Sequence, residues 1–281
     1  RYIGDWSSDV CSSDLLYVFY PCILFAVVSS TPITFDLLSV PLLVGIGTLS
    51  AGALLYVLLY LSPLGRGLTD PTRAALMLGG MFGNTFNIGA PVLMFFFGRE
   101  AVRYAAFNDM LMTMPFIWSI GVWIATRLGS HEKPESYPSL WRILVSLPPL
   151  WAFVLGVSLQ ALDLAYRPLI AAAHMIGQAT IPVTLFVLGM TIPWRNLTPR
   201  PEILTTAGVK LLIAPLIVAV CARTFFAPLG EAQHAAALEA ATPAMMTALI
   251  MADRFRLDGA AAALLIGWST ILFWFSLPLT L

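Results

Sequence analysis

Residues 71–98 read PTRAALMLGGMFGNTFNIGAPVLMFFFG, an apolar segment of membrane length interrupted at its centre by Gly83-Asn84-Thr85-Phe86-Asn87-Ile88-Gly89-Ala90-Pro91. In hydrocarbon each unsatisfied backbone N–H or C=O costs several kcal/mol, so an unbroken helix is the default spanning form. Two glycines and a proline weaken that helix where two asparagine side chains can stand in for water. Irregular backbone at this depth is tolerated only inside protein or along a cavity. A second interrupted segment, 235–252 around Thr242-Pro243, holds the corresponding place in the second half. A matched pair of broken spans points to the binding site of a secondary transporter. Two unrelated proline kinks in packed helices are the plainer alternative.

The rest of the chain agrees with a membrane setting. It is 59% hydrophobic, against roughly 45–50% in soluble domains, with a mean hydropathy of +0.85. Asp5 through Leu15 is the residue-for-residue translation of a common sequencing-library adapter read, so residues 1–15 are expected to be an assembly artefact. The polar Ser/Asp-rich stretch gives way abruptly to LYVFYPCILFAVV, which supports that division. Setting Arg1, Asp5, Asp9 and Asp14 aside from the 15 basic and 15 acidic residues leaves 14 and 12. Charge this sparse, with no basic stripe, argues against nucleic acid as a partner. Cys22 and Cys221 lie in apolar stretches without CxxC or Cys/His spacing, so neither a metal nor a disulfide is expected. No cofactor motif occurs.

About 20 apolar residues cross a bilayer as helix. Spans are expected near 16–30, 37–61, 72–98, 102–126, 143–162, 168–192, 203–226, 232–252 and 260–281. The loop 127–142, with Arg127, His131, Glu132, Lys133, Glu135 and Arg142, is the longest and most polar. Alternating the loops puts Arg66, Arg73, Arg127, Lys133, Arg142, Arg195, Arg200, Lys210, Arg254 and Arg256 on one side. Arg99, Arg103, Arg167 and Arg223 fall on the other. By the positive-inside rule the richer side is cytoplasmic and the C-terminus outside, in a multi-pass plasma (inner) membrane protein. Trp141 and Trp194 then sit at cytoplasmic boundaries.

An internal repeat runs through these spans. Pro21-Cys22-Ile23-Leu24-Phe25 is echoed by Pro182-Val183-Thr184-Leu185-Phe186; Pro32 falls on Pro193, Gly47 on Gly208, and Thr85 on Thr247. A near-constant offset across three consecutive spans is the signature of repeated units. The expected division is a first repeat at 16–126 lacking its first helix, the cytoplasmic loop 127–142, and a second repeat at 143–281. Five spans per unit is an odd number, so the halves would run in opposite directions through the bilayer.

Asn84-Thr85…Gly89-Ala90-Pro91, the Pro243-centred span, Ala252-Asp253-Arg254-Phe255 and the closing Leu277-Pro278-Leu279 resemble the auxin efflux carrier family, bacterial permeases included. The resemblance covers 16–281. It implies an all-α integral membrane protein of two inverted five-helix repeats, ten helices of which about nine are visible here, with two crossing broken helices. It also implies transport of organic anions, such as malate or malonate in bacteria and indole-acetate in plants. Asn87 departs from the small or apolar residue more usual there.

A carboxylate substrate needs donors and positive potential, and half-helix N-termini supply both. Asn84, Thr85 and Asn87, with Gly89 and Pro91, are the candidate binding residues of the first crossing; Thr242, Pro243 and Thr247 are those of the second. Asn84 and Asn87 would otherwise merely cap broken backbone. Ionisable residues inside spans default to function. Glu239, three positions before Thr242 and on its face, is the first candidate for coupling an ion, and Asp109 with Asn108 the second. Lys210 pairs with a carboxylate, draws the anion, or, on the slightly favoured reading, snorkels to the cytoplasmic boundary. Gln178 and His174 share a face one turn apart and read as polar glue or as part of the ion path. Met77, Met81, Met245 and Met246 read as packing residues.

The expected function is a secondary active transporter of small organic anions, with H⁺ or Na⁺ as coupling ion and the bilayer as solvent; a homodimer is left open. The alternative is a transporter-like sensor that binds without flux. No Walker A, GxSxG, HExxH or Asp-rich metal motif is present, which argues against an enzyme.

Overall fold

The computed structural model describes residues 15–129, 145–164, 166–192, 194 and 197–280. Most of the loop 127–142, Trp141, Pro193, Arg195 and nearly all of the adapter-like segment lie outside them. The described chain is all-α. Eleven helices carry the argument: α1 (Tyr17–Ser29), α2 (Phe35–Leu61), α3 (Asp70–Met81), α4 (Thr85–Phe97), α5 (Arg99–Leu128), α6 (Pro148–Ala161), α7 (Arg167–Met190), α8 (Pro201–Phe225), α9 (Glu231–Ala240), α10 (Thr247–Arg254) and α11 (Gly259–Pro278). Among the described residues α2, α5, α7, α8 and α11 are long and apolar enough to cross a bilayer. Within the span expected at 143–162 a helix runs Pro148–Ala161; Pro148 and Pro149 suit its first turn, where no N–H is needed.

Local chemistry starts and stops these helices where the chain requires it. Thr34 Oγ1 accepts the Leu37 N–H at the head of α2, and Thr69 Oγ1 accepts the Thr72 N–H at the head of α3. Asp258 caps α11 through the Ala261 N–H and also accepts from Thr72 Oγ1 at 2.8 Å, joining the starts of α3 and α11. Prolines shape the interiors. Widened π-helical turns at Thr85–Gly89, Asp109–Thr113 and Val209–Ile213 each end two residues before a proline, Pro91, Pro115 and Pro215. Proline lacks the N–H and its ring clashes with the carbonyl four residues earlier; a wider turn relieves both.

The helices bury two main apolar clusters, and the broken helices pass from one to the other. The first holds Leu76, Leu78 and Met81 of α3, Met251 of α10, Ala207 and Leu211 of α8 and Leu265 of α11. The second holds Phe86 and Leu93 of α4, Ala235 and Ala240 of α9, Leu24 of α1 and Phe107 of α5. Glycines bring the backbones close, as small residues do between membrane helices. The outer surface is apolar, with Phe95 81% and Phe275 75% exposed, which suits lipid rather than water as solvent.

Gly177 of α7 lies against the backbone of α1: an added Cβ would stand 2.5 Å from the Ile23 nitrogen and 2.6 Å from its Cα. Gly177→Ala is expected to lower stability by about 1–3 kcal/mol. Gly208→Ala, in a helix with nothing within 4 Å, is expected to raise it by about 0.5–1 kcal/mol. Thermal unfolding of both variants in lipid checks the contrast.

Candidate functional site

The two interruptions meet. After Met81 the chain runs extended through Phe82 and resumes as helix at Thr85; after Ala240 it runs through Thr242-Pro243-Ala244 and resumes at Thr247. Between them Gly83 and Ala244 form an isolated antiparallel bridge. The Asn84 N–H donates to the Pro243 carbonyl at 2.8 Å, and the Met245 N–H donates to the Phe82 carbonyl at 3.1 Å. Each broken backbone thus uses the other as the partner that its own helix no longer supplies. The Ala244 N–H goes to Ser269 Oγ of α11 at 3.1 Å.

Side chains from four other elements converge on this bridge. Asn84, Thr85, Asn108, Asp109, Lys210, Glu239 and Thr242 are all buried. Asn87 Nδ2 donates to Asn84 Oδ1 at 2.8 Å. Thr85 Oγ1 donates to Asp109 Oδ1 at 3.1 Å and lies 3.4 Å from Thr113 Oγ1. The Tyr20 hydroxyl of α1 donates to Asp109 Oδ2. Asn108 Nδ2 donates to Glu239 Oε2 at 3.2 Å, and Thr242 Oγ1 donates to the Glu239 carbonyl at 2.7 Å. Lys210 Nζ donates to the Ala240 carbonyl at 2.9 Å, a cation placed at the negative C-terminal end of α9. Glycine makes the approach possible. A Cβ on Gly83 would meet Thr242 Oγ1 and come within 2.8 Å of Lys210 Nζ; one on Gly89 would meet the Glu239 carboxyl.

Three polar atoms in this cluster are buried without a partner: Asn84 Nδ2, Asn108 Oδ1 and Glu239 Oε1. An unpaired buried polar atom costs about 1–3 kcal/mol, so such atoms at a crossing of broken helices mark a place built for something else to occupy.

Most of the residues singled out from sequence come together here. Pro91 and Thr247 stand slightly apart, each near the start of a resumed helix. Two expectations need correction. Lys210 does not snorkel; it is 2% exposed and points at α9, because the π turn before Pro215 lies inside the bundle. That removes one of the ten charges that the alternation of loops puts on the richer side. Gln178 is not part of the cluster. It is exposed, 3.1 Å from His174 Nδ1, on a separate cleft of about 490 Å³ that also takes in Ser30, Arg99 and Glu100. Tyr20, Thr113 and Ser269 were missed. Pro21 and Pro115 were the available signals for the first two; Ser269, inside an unbroken apolar helix, had none. Among the described residues no group of His, Cys, Asp and Glu could hold a metal ion.

The chain is similar to known proteins along most of its length. A family model described as membrane transport protein matches residues 9–281. An uncharacterized transporter of Methanothermobacter thermautotrophicus is 32% identical over 249 residues, 87% of this chain and 78% of the relative. An uncharacterized transporter of Methanocaldococcus jannaschii is 23% identical over 262 residues, 89% and 80% respectively. The chain belongs to this membrane transport protein family, the auxin efflux carrier family that its broken spans resemble.

Gly89→Ala is expected to destabilise the fold by about 1–3 kcal/mol, since the new methyl and the Glu239 carboxyl compete for one space. Removing the competitor should restore part of the loss. Thermal unfolding of Gly89→Ala, Glu239→Ala and the double variant is expected to show a coupling of about 0.5 kcal/mol or more; strict additivity would separate the two residues.

Proposed function

We propose, with membership of this family as the premise, that the protein is a secondary active transporter of small organic anions such as carboxylates, binding them at the crossing of α3–α4 and α9–α10. Access would alternate as one half of the bundle rocks against the other about that fixed point, the halves being inverted repeats. The observation that carries the reading is Asn84: its side chain is 2% exposed, and its Nδ2 is a donor without a partner at the bridge. The first turns of α4 and α10 begin on either side of it, and helix starts offer free N–H groups and positive potential. An oxygen-rich anion supplies the acceptors that such a site lacks. Asn87, whose amide keeps a second N–H, extends the donor set on one strand of the crossing, with Thr85 beside it and Thr242 and Thr247 on the other strand as further candidate contacts.

Two carboxyls, Glu239 and Asp109, and one ammonium, Lys210, lie within the same cluster. Bringing in an anion beside two acids requires a compensating positive charge, so flux is expected to be coupled to H⁺ or Na⁺, with Glu239 as first carrier and Asp109 as second. The reading places the protein in the plasma (inner) membrane with its C-terminus outside, consistent with the Arg and Lys bias of its loops.

The test is uptake of radiolabelled malate, malonate and indole-acetate into proteoliposomes, with and without an imposed pH gradient, beside Asn84→Ala. A hydrogen bond to a charged group is worth about 1.5–3 kcal/mol, so uptake at subsaturating substrate is expected to fall by roughly tenfold or more in Asn84→Ala. Uptake indifferent to Asn84 would move the site elsewhere. Binding without flux would make the protein a sensor built on a transporter fold.

A further inference from the structure

We propose that Glu239 and Asn108 form a one-proton acid–amide pair, and that the proton seated between Glu239 Oε1 and Asn108 Oδ1 is the one that couples to transport. The ionised pair leaves a specific deficit. Asn108 Nδ2 donates to Glu239 Oε2 at 3.2 Å, yet the other oxygen of each group, Glu239 Oε1 and Asn108 Oδ1, is buried with no partner. Both orphans are acceptors, and both residues are 0% exposed, away from bulk water. A single proton on Oε1 satisfies both at once: the acid O–H donates to Oδ1 while the amide N–H continues to donate to Oε2. The two planar groups then close a ring of two hydrogen bonds.

The surroundings favour a proton over a metal cation. A bare cation needs a shell of several oxygens, whereas the unpartnered buried side-chain acceptors of this cluster, among the described residues, are the two just named. Glu239 is the penultimate residue of α9, where the helix dipole disfavours a second negative charge. The dipole's own counter-ion, Lys210, is engaged with the Ala240 carbonyl one residue on. Asp109 differs from Glu239 in this respect: its two oxygens each accept a hydroxyl, from Tyr20 and from Thr85. The titratable groups facing Glu239 are therefore Asp109 and Tyr20 on one side and Lys210 on the other. Asp36 of α2 and Arg223 of α8, on helices packed against α9, are exposed, and Arg103 of α5 bonds Tyr104 and pairs with Glu231 at the far end of α9.

The chemistry balances without any co-reactant. Loading takes one proton from the aqueous side and converts the Glu239 carboxylate to the neutral acid. Unloading returns that proton and leaves both acceptors without a hydrogen. Gly89 then explains itself: its missing Cβ is the space in which the Glu239 carboxyl lies, so the acid sits directly against the first broken helix. Loading and unloading at Glu239 would be felt at the crossing through that contact. This deepens the ion-coupled reading of the same site, and its test uses no substrate, so it fails or succeeds apart from any flux measurement.

Infrared spectroscopy of the purified protein in lipid at neutral pH reads the proton directly. A carboxylic-acid C=O stretch is expected in the native protein, lost in Glu239→Gln and retained in Asp109→Asn. Glu239→Gln carries N–H where the acid carries O–H, so it reproduces the closed ring and is expected to fold. Its thermal midpoint should stay level as pH rises, while that of the native protein falls as the proton is removed. The proposal is overturned if no such band appears, or if the band survives Glu239→Gln or vanishes in Asp109→Asn. It is also overturned if replacing choline by sodium at constant ionic strength raises the native midpoint but not that of Glu239→Gln, which would make the seat a sodium site.

Discussion

Two backbone hydrogen bonds, Asn84 N–H to the Pro243 carbonyl and Met245 N–H to the Phe82 carbonyl, are the constraint on which the centre of this protein depends. Away from water, a chain that leaves the helical path must find a partner for every N–H and C=O it frees. Either broken segment alone would carry several such orphans. Together they satisfy each other over one antiparallel bridge, and the requirement for mutual pairing fixes where α3–α4 and α9–α10 must touch. Gly83 suits this register, because a Cβ there would meet Thr242 Oγ1 and crowd Lys210 Nζ.

The prolines extend the same logic outward. Pro91, Pro115 and Pro215 each sit two residues beyond a π-helical turn, and those turns hold Thr85 and Asn87, Asp109 and Thr113, and Lys210. A widened turn changes the direction in which its side chains project relative to the flanking helix. Polar residues that would otherwise lie on a lipid or packing face are thereby presented to the bridge. The helical defects and the polar cluster are one feature: the backbone is irregular where the chemistry is needed, and the apolar clusters on either side exclude water from it.

This arrangement concentrates charge in a dry interior at a cost that packing alone does not justify. Lys210 offsets the C-terminal dipole of α9, Tyr20 and Thr85 serve Asp109, and Asn108 serves one oxygen of Glu239. Among the buried side-chain atoms of the cluster, what remains unserved is small and specific: one amide donor at Asn84 and two acceptors, one each on Glu239 and Asn108. A donor awaiting an acceptor suits an anion, and acceptors awaiting a hydrogen suit a proton.

The sequence by itself determined the all-α membrane class, both interruptions and nearly all of the polar residues that surround them. Glycine, asparagine and proline are conspicuous inside apolar runs, and a charge within a span is costly enough to stand out. Local signals of that kind also placed Glu239 one turn from Thr242. Only the tertiary structure decided which of those residues meet. Lys210 looked like a boundary lysine until α9 was seen to bring its last carbonyl to it, and Gln178 was open between polar glue and the ion path until α7 was seen to carry it to a peripheral cleft. Tyr20 reaches Asp109 across 89 residues of chain, and Asn108 reaches Glu239 across 131. Nothing in either local stretch encodes its partner, because hydrogen bonds between helices depend on how the helices pack, and packing is a property of the whole bundle.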